Sequence, residues 1–136
     1  MYKRWYIPVE RPKYCFEDLE LYKAAREFRK KMYNLSKRLP DEEKYNLVQQ
    51  IRRAAVSLTN NISEGHGRFH YQEHIHFVRQ ARGSLQELID DLNTCFDEAY
   101  IPEDIINGLK DEAYDLLKRM NGYISYLKIK KQQKDA

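Results

Sequence analysis

The residues best suited to chemistry in this sequence lie between Gln49 and Arg68, in the stretch QQIRRAAVSLTNNISEGHGR. Apolar residues recur there at helical spacing, which predicts a helix with one face in a core. A polar set follows one flank of that face at the same spacing: Gln50, Arg53, Ser57, Asn61 and Glu64. Buried polar groups are costly unless they are hydrogen-bonded, so this set needs partners elsewhere in the chain.

The partners of the polar set are predicted on the following helix, which returns after a turn at residues 65–70. The expected register places Arg53 opposite Ser84 and within reach of Glu87. A catalytic or ligand site is one interpretation, but no nucleophile beside a base and no paired carboxylates emerge. The sequence favours a structural polar network that fixes helix register, with these members: Arg53, Asn61, Glu64, Ser84 and Glu87.

This register makes two specific predictions. Arg53→Ala is expected to cost several kcal/mol, because Glu87 would lose its partner. Gly83 is expected to meet Ala54 and Ala55, so that the two helix backbones approach closely at that level.

A second candidate motif is His70, Glu73 and His74, which spell the HxxEH pattern of inverted zinc proteases. Such a site needs the motif inside a helix and a distant third ligand in a cleft, whereas here it starts a helix beside a glycine turn. Chance explains so short a motif better. We therefore expect no metal, no cofactor and no enzymatic activity.

Four amphipathic helices must position these residues, because apolar residues recur at helical spacing in four long stretches. No segment shows the strict alternation of a strand. The predicted helices cover about 17–39, 41–64, 69–98 and 102–127. Short connections between long helices predict an all-α, antiparallel up-down-up-down four-helix bundle.

Prolines and glycines mark the predicted helix ends. Pro40 ends the first helix, Asp41 caps the second, and Pro102 opens the fourth. Gly65 is predicted to end the second helix in a left-handed conformation. The predicted organisation is an N-terminal arm at 1–15, a bundle at 16–127 and a Lys-rich C-terminal tail at 128–136.

The length of 136 residues predicts one domain, and its net charge of +3 is unevenly distributed. Residues 1–82 hold 17 Lys/Arg and 10 Asp/Glu, whereas residues 83–136 hold 7 and 11. This polarity could attract a polyanion or orient subunits. The arm interleaves aromatic and basic residues, and it must either lie across the bundle or reach a neighbour.

The sequence predicts a cytoplasmic protein without a membrane partner. No apolar run has the length of a membrane span, and the N-terminus lacks a signal-peptide core. Cys15 and Cys95 are widely separated and lack a metal-binding pattern, so we expect both thiols to be reduced.

Two separated blocks carry a resemblance to a known family. The first has the pattern E-x-Y-x-L-x-x-Q-x-R-R-A-A-x-S-x-x-x-N-I-x-E-G and runs from Glu43 to Gly65. The second comprises Ala81, Gly83, Ser84, Leu85, Glu87 and Leu88. With these blocks, the chain from about Phe16 to Leu127 resembles the four-helix-bundle proteins encoded within intervening sequences of bacterial 23S rRNA genes.

The resemblance implies a left-handed bundle that assembles into a ring-shaped homopentamer with no known enzymatic activity. It also implies a relative, the accessory variability determinant of diversity-generating retroelements, which is a basic pentameric barrel that binds nucleic acid and a reverse transcriptase. Family membership specifies fold better than function.

Basic helix surfaces support the leading functional prediction. Lys and Arg contacts to phosphates would give sequence-independent, salt-sensitive binding of RNA or DNA, and no motif here reads bases. The candidate nucleic-acid-binding residues are Lys23, Arg26, Lys30, Lys37, Arg52, Arg68, Arg79 and Arg82.

Two alternatives remain open at the level of sequence. The basic residues of the first helix could simply be solvated and paired with Glu20, Glu27 and Asp41. The chain could also be an assembly or adaptor protein that recognises a protein partner such as a reverse transcriptase, because the charge polarity and the aromatic arm suit subunit contacts.

Overall fold

The computed structural model describes residues 15–135, and four α-helices make up most of that span. They are α1 (Glu20–Ser36), α2 (Leu47–His66), α3 (Tyr71–Asp97) and α4 (Glu103–Asp135). Single 3-10 turns at Phe16–Asp18 and Asp41–Glu43 precede α1 and α2. Residues 15–135 contain no strand, which confirms the all-α prediction. Within the same span, no helix combines the length and apolarity needed to cross a membrane.

One continuous core lies between the four helices. Each helix contributes a fully buried side chain to it, among them Phe28 of α1, Leu58 of α2, Leu88 of α3 and Met120 of α4. Burial of such apolar surface is the main favourable term in folding. Backbone contacts join α1 to α2, α2 to α3, α3 to α4 and α4 to α1, as in a four-helix bundle.

Side-chain hydrogen bonds between neighbouring helices follow a regular register. Between α3 and α4 they join Gln72 to Lys131, Arg82 to Asn121 and Asn93 to Lys110, at 2.8, 2.9 and 2.8 Å. Between α1 and α2 they join Arg29 to Thr59 and Ser36 to Arg52, at 2.8 and 3.0 Å. In both pairs of helices, residue numbers fall along one helix as they rise along the other.

Three predicted helix ends are wrong. The second helix begins at Leu47 rather than at Asp41, because residues 41–43 form a separate 3-10 turn. Gly65 lies inside α2, and no described glycine has a positive φ, so Gly65 is not a left-handed terminus. The fourth helix continues beyond Leu127 to Asp135, so the lysines of the predicted tail lie on α4. The predicted arm lies outside the described residues, apart from Cys15.

The close approach of α2 and α3 is at Gly65 and not at Gly83. A Cβ on Gly65 would lie 2.9 Å from the Cβ of Phe77 and 3.0 Å from Cδ2 of His74. Gly83 is exposed, and a Cβ there would have no atom within 4 Å. The prediction for Gly83 is therefore wrong, because the neighbouring Ser84 is the residue that faces α2.

Candidate nucleic-acid interface

The buried part of the polar set is a small hydrogen-bond network between α2 and α3. Asn61 Nδ2 donates to the backbone oxygen and to Oγ of Ser57, at 2.9 and 3.0 Å. The Oγ atoms of Ser57 and Ser84 lie 2.9 Å apart, and Ser84 is 7% exposed. Asn61 and Ser84 therefore belong to one network, and Ser57 connects them.

The other three predicted members lie outside this network. Glu64 is exposed and accepts a hydrogen bond from Arg68 at 3.1 Å. Arg53 and Glu87 are exposed and line an open groove between α2 and α3. Among residues 15–135, no ion pair or hydrogen bond joins Arg53 to Glu87.

The predicted Arg53–Glu87 ion pair is wrong because both side chains are exposed along the open groove, although they line it together. The register itself differs from the prediction by about one helical turn. Ser84 meets Ser57, which is four residues after the predicted partner Arg53. The true register brings two hydroxyl groups together inside the interface and leaves the guanidinium and the Glu87 carboxylate in solvent.

The groove beside Arg53 is acidic. Asp91 is 9% exposed, and burial, followed by the nearby Glu87 and Asp90 carboxylates, raises its pKa from 3.8 to about 6. Residues 85–116 hold ten Asp/Glu and a single Lys. This concentration of negative charge disfavours phosphate binding along the second half of α3 and the first half of α4.

The four predicted cations at positions 23–37 are all exposed, three of them on α1 and Lys37 just after its end. Lys23 and Lys30 lie 3.4 and 3.5 Å from Glu20 and Glu27, each one turn away. Exposed pairs of this kind contribute little to stability, so the lysines can exchange a carboxylate for a phosphate at small cost. In the described part of the chain, Arg26 and Lys37 have neither an ion pair nor a hydrogen-bond partner for their side chains.

Across the α1–α2 and α3–α4 interfaces, cations donate to neutral acceptors, whereas between α1 and α4 Lys31 pairs with the Glu112 carboxylate at 2.8 Å. Arg29 and Arg52 of the α1–α2 interface donate to hydroxyl groups, those of Thr59 and Ser36. Cations of the α3–α4 interface donate to amide oxygens: Arg82 to Asn121, Lys110 to Asn93 and Lys131 to Gln72. Hydroxyl and amide oxygens carry no net charge, so these contacts hold the side chains in place without neutralising them.

Arg52 is less exposed than the sequence predicted. It is half-buried, and its guanidinium lies 5.4 Å from the ring centroid of Tyr33. Tyr33 also lines an open groove between α1 and α2, together with Arg29, Lys30, Asn34 and Val56. The groove combines cations with an apolar lining. We call this groove, together with the exposed Lys23, Arg26 and Lys37, the α1–α2 basic surface.

The three predicted cations after α2 differ in whether their side chains have hydrogen-bond or ion-pair partners. Arg79 is exposed and, among the described residues, has no bonded partner. Arg82 donates to Asn121, as noted above. Arg68 lies 3.1 Å from Glu64 and 4.0 Å from Glu73, so its charge is compensated.

The structure does not gather the eight predicted residues into one surface. Four lie on α1 and α2 and Lys37 lies just after α1, whereas Arg79 and Arg82 lie in the first half of α3 and Arg68 lies just before it. Helix contacts run around the bundle from α1 to α2 to α3, which places α1 and α3 at opposite corners. A single chain therefore offers two separate basic areas.

The residues of the HxxEH motif have unrelated surroundings. His70 is exposed before α3, and Glu73 lies 4.0 Å from Arg68. His74 is buried, with Nε2 3.3 Å from the hydroxyl of Tyr123, and burial, followed by His66, lowers its pKa from 6.5 to about 4. Across residues 15–135, no group of three or more His, Cys, Asp or Glu side chains could hold a metal ion.

The lysines at 128–134 were predicted to form a tail, but they lie on α4 and were not among the candidate nucleic-acid-binding residues. Residues 117–134 contain six Lys/Arg and no Asp/Glu, and Lys131 contacts α3. The available signal was the lack of any proline or glycine after Gly122, which permits the helix to continue.

Comparison with known proteins agrees with the sequence blocks. Residues 17–122 match the family model described as 23S rRNA-intervening sequence protein. The match extends over α1, α2, α3 and more than half of α4. A search of curated proteins found no match to the chain.

Proposed function

Because the chain belongs to the 23S rRNA-intervening sequence protein family, we propose that this bundle binds RNA or DNA. Binding is directed at phosphates through basic helix surfaces, is independent of base sequence, and involves no catalysis. The α1–α2 basic surface is the principal site on each protomer.

One observation carries this proposal: the arginines at the α1–α2 interface are held by neutral acceptors. A guanidinium has five N–H donors and an ammonium has three, so each side chain keeps donors for a ligand. Arg29 and Arg52 are already ordered by Thr59 and Ser36, which reduces the entropy lost when a phosphate binds. Arg26 and Lys37 add unpaired positive charge on the same surface.

The proposed architecture is an antiparallel, left-handed bundle in a homopentameric ring. The opposite numbering of contacts across α1–α2 and α3–α4 supports the antiparallel arrangement. A ring would repeat each basic surface once per protomer, and repeated weak sites raise the affinity for a continuous polyanion. Cys15 and Cys95 are free thiols, which supports a cytoplasmic location.

A salt titration tests nucleic-acid binding. Fluorescence anisotropy of a labelled duplex DNA should give an affinity whose logarithm falls linearly with the logarithm of salt concentration, by about 0.9 for each phosphate contact. Arg26→Gln and Lys37→Gln should each reduce that slope by about 1. Native mass spectrometry of the same sample measures the number of subunits.

Lys44→Gln is the matched control, because it removes an exposed lysine that lies next to Asp41–Glu43. It should leave the slope unchanged. No measurable binding at low salt would refute the proposed function, and equal slopes for all variants would refute the α1–α2 basic surface as its principal site.

A protein-binding adaptor is the second candidate, and the acidic run at residues 85–116 favours it. Phe96 and Tyr114 lie in that run and are 46% and 52% exposed. Exposed aromatic residues among charges are typical of protein interfaces. An adaptor for a reverse transcriptase or another protein would show no salt-dependent binding of nucleic acid at physiological ionic strength.

A further inference from the structure

Phe69 is the most exposed large apolar side chain described, at 83% exposure. It lies in the connection just before α3, and its ring packs edge-to-face on His70 at 5.1 Å. Because its ring remains in solvent, Phe69 contributes little to the core. An exposed aromatic ring is available there for a ligand.

The end of α4 supplies cations to this ring and to a second one. Lys134 Nζ lies 4.8 Å from the ring centroid of Phe69. Lys130 Nζ lies 5.7 Å from the ring of Tyr126, which is 51% exposed. Tyr126 is in turn stacked on Tyr123, at 5.9 Å and 23° between the ring planes.

The hydrogen bond from Lys131 to Gln72 joins these two segments at 2.8 Å. It brings the start of α3 and the end of α4 into one surface, which we call the aromatic corner. Its members are Phe69, Gln72, Tyr126, Lys130, Lys131 and Lys134. Residues 117–134 contain no Asp or Glu, and within residues 15–135 none of the three lysines forms an ion pair, although Asp18 and Glu20 share a groove with Tyr126.

From this arrangement we propose that the aromatic corner binds unpaired nucleotides of single-stranded RNA or DNA. The proposal rests on the proposed nucleic-acid-binding function and names the form of ligand. Aromatic rings stack on bases, and neighbouring cations hold the phosphates that connect them. Duplex bases are already stacked inside the helix and cannot reach such rings, so the corner selects single strands.

The charge and the rings together favour this occupant over a protein. A protein partner for the cations would be acidic, and acidic side chains offer no flat face for Phe69 and Tyr126. Nucleotides present both a phosphate and a base at each step of the chain. Lys130, Lys131 and Lys134 lie beyond residue 122, where the family match ends, so the corner is built partly from residues outside that match.

The test measures binding of labelled oligo-dT, oligo-U and duplex DNA of equal length by fluorescence anisotropy. Phe69→Ala should weaken binding of both single strands about 5- to 100-fold and change duplex affinity less than twofold. Lys134→Gln should lower the salt slope for oligo-dT by about 0.7. Circular dichroism should show unchanged helix content, because both side chains are exposed.

Tyr45→Ala is the matched control. Tyr45 is 78% exposed and has Lys44 at 5.5 Å from its ring, but it follows the acidic turn Asp41–Glu43. This variant should bind single strands as the parent does.

The outcomes separate the two proposals. If the parent protein binds neither single strands nor duplex, nucleic-acid binding itself is refuted. If it binds both and Phe69→Ala binds single strands equally well, only the aromatic corner is refuted. A change of oligomeric state in Phe69→Ala without nucleic acid, seen by sedimentation velocity, would make the corner a subunit contact and also refute it.

Discussion

Gly65→Ala is expected to destabilise the protein even though alanine is the better helix former. Gly65 is buried within α2, where α3 passes closest. The added Cβ would lie 2.9 Å from the Cβ of Phe77, 3.0 Å from Cδ2 of His74 and 3.2 Å from the backbone oxygen of His74. Two of these atoms belong to or adjoin the α3 backbone, so relief requires α3 to move away from α2.

The magnitude follows from two opposing terms. Replacing glycine by alanine inside a helix gains about 1 kcal/mol. Overpacking a core contact costs about 1–3 kcal/mol, and a clash with a second helix lies in the upper part of that range. We therefore expect Gly65→Ala to lower the free energy of unfolding by about 1–2 kcal/mol.

Gly83→Ala is the matched control, because Gly83 is also helical but a Cβ there meets no atom within 4 Å. Only the helix-propensity term applies, so this variant should gain about 1 kcal/mol. The two substitutions are chemically identical and should change stability in opposite directions.

Urea unfolding followed by circular dichroism measures both changes from the transition midpoint and the slope m. Protein concentration must be equal in all samples, because association would make the midpoint depend on it. A Gly65→Ala protein as stable as the parent, or more stable, would refute the close approach of α2 and α3 at this residue.

Three further predictions concern polar groups. Arg53→Ala should change the free energy of unfolding by less than about 0.5 kcal/mol, because Arg53 is exposed and lacks a partner among the described residues. Ser84→Ala should instead cost about 1 kcal/mol, because it removes the contact with Ser57. Thermal melts of the two variants compare these effects. Asp91→Asn should stabilise the protein by about 1–3 kcal/mol at pH 7 and by nothing below pH 3.8. The raised pKa of about 6 means that protonated Asp91 contributes its full stability below pH 3.8, and this contribution is lost as the pH rises through 6. Denaturation at several pH values measures the difference in unfolding free energy between the variant and the parent. The pH dependence from His74 has the opposite sign, because its pKa is lowered from 6.5 to about 4: its contribution to stability is complete above pH 6.5 and is lost as the pH falls through 4. An NMR titration of its ring protons should have its midpoint near pH 4, and a midpoint near 6.5 would contradict the burial of the ring.

Much of the fold could be predicted because helical periodicity is a local property. Phe28, Leu58, Leu88 and Met120 recur in amphipathic patterns, and all four are buried in the core. Helix ends were harder to predict, because residues that commonly cap or end a helix do not do so here. Asp41 looks like a helix cap but begins a 3-10 turn, and Gly65 looks like a terminus but remains inside α2.

The candidate site was predictable in composition but not in arrangement. All eight predicted cations lie on the surface or at half-buried positions, as the polar face of a helix requires. The partners of the polar set could not be deduced either, because a shift of one helical turn between α2 and α3 replaces Arg53 with Ser57 opposite Ser84. The aromatic corner was missed because Phe69 and Lys134 are distant in sequence and meet only when α4 continues past Leu127.

The sequence by itself therefore determined the four helices, the residues of the core and the family, since these depend on periodicity and on residue patterns within each segment. Tertiary structure alone decided which polar groups are paired and which charges remain free. It placed Gly65 against Phe77, left Arg53 in solvent and held Arg52 against Ser36. The physical reason is that hydrogen bonds and charge compensation act over a few ångströms, so they depend on the axial register and rotation of packed helices, which no single helix specifies.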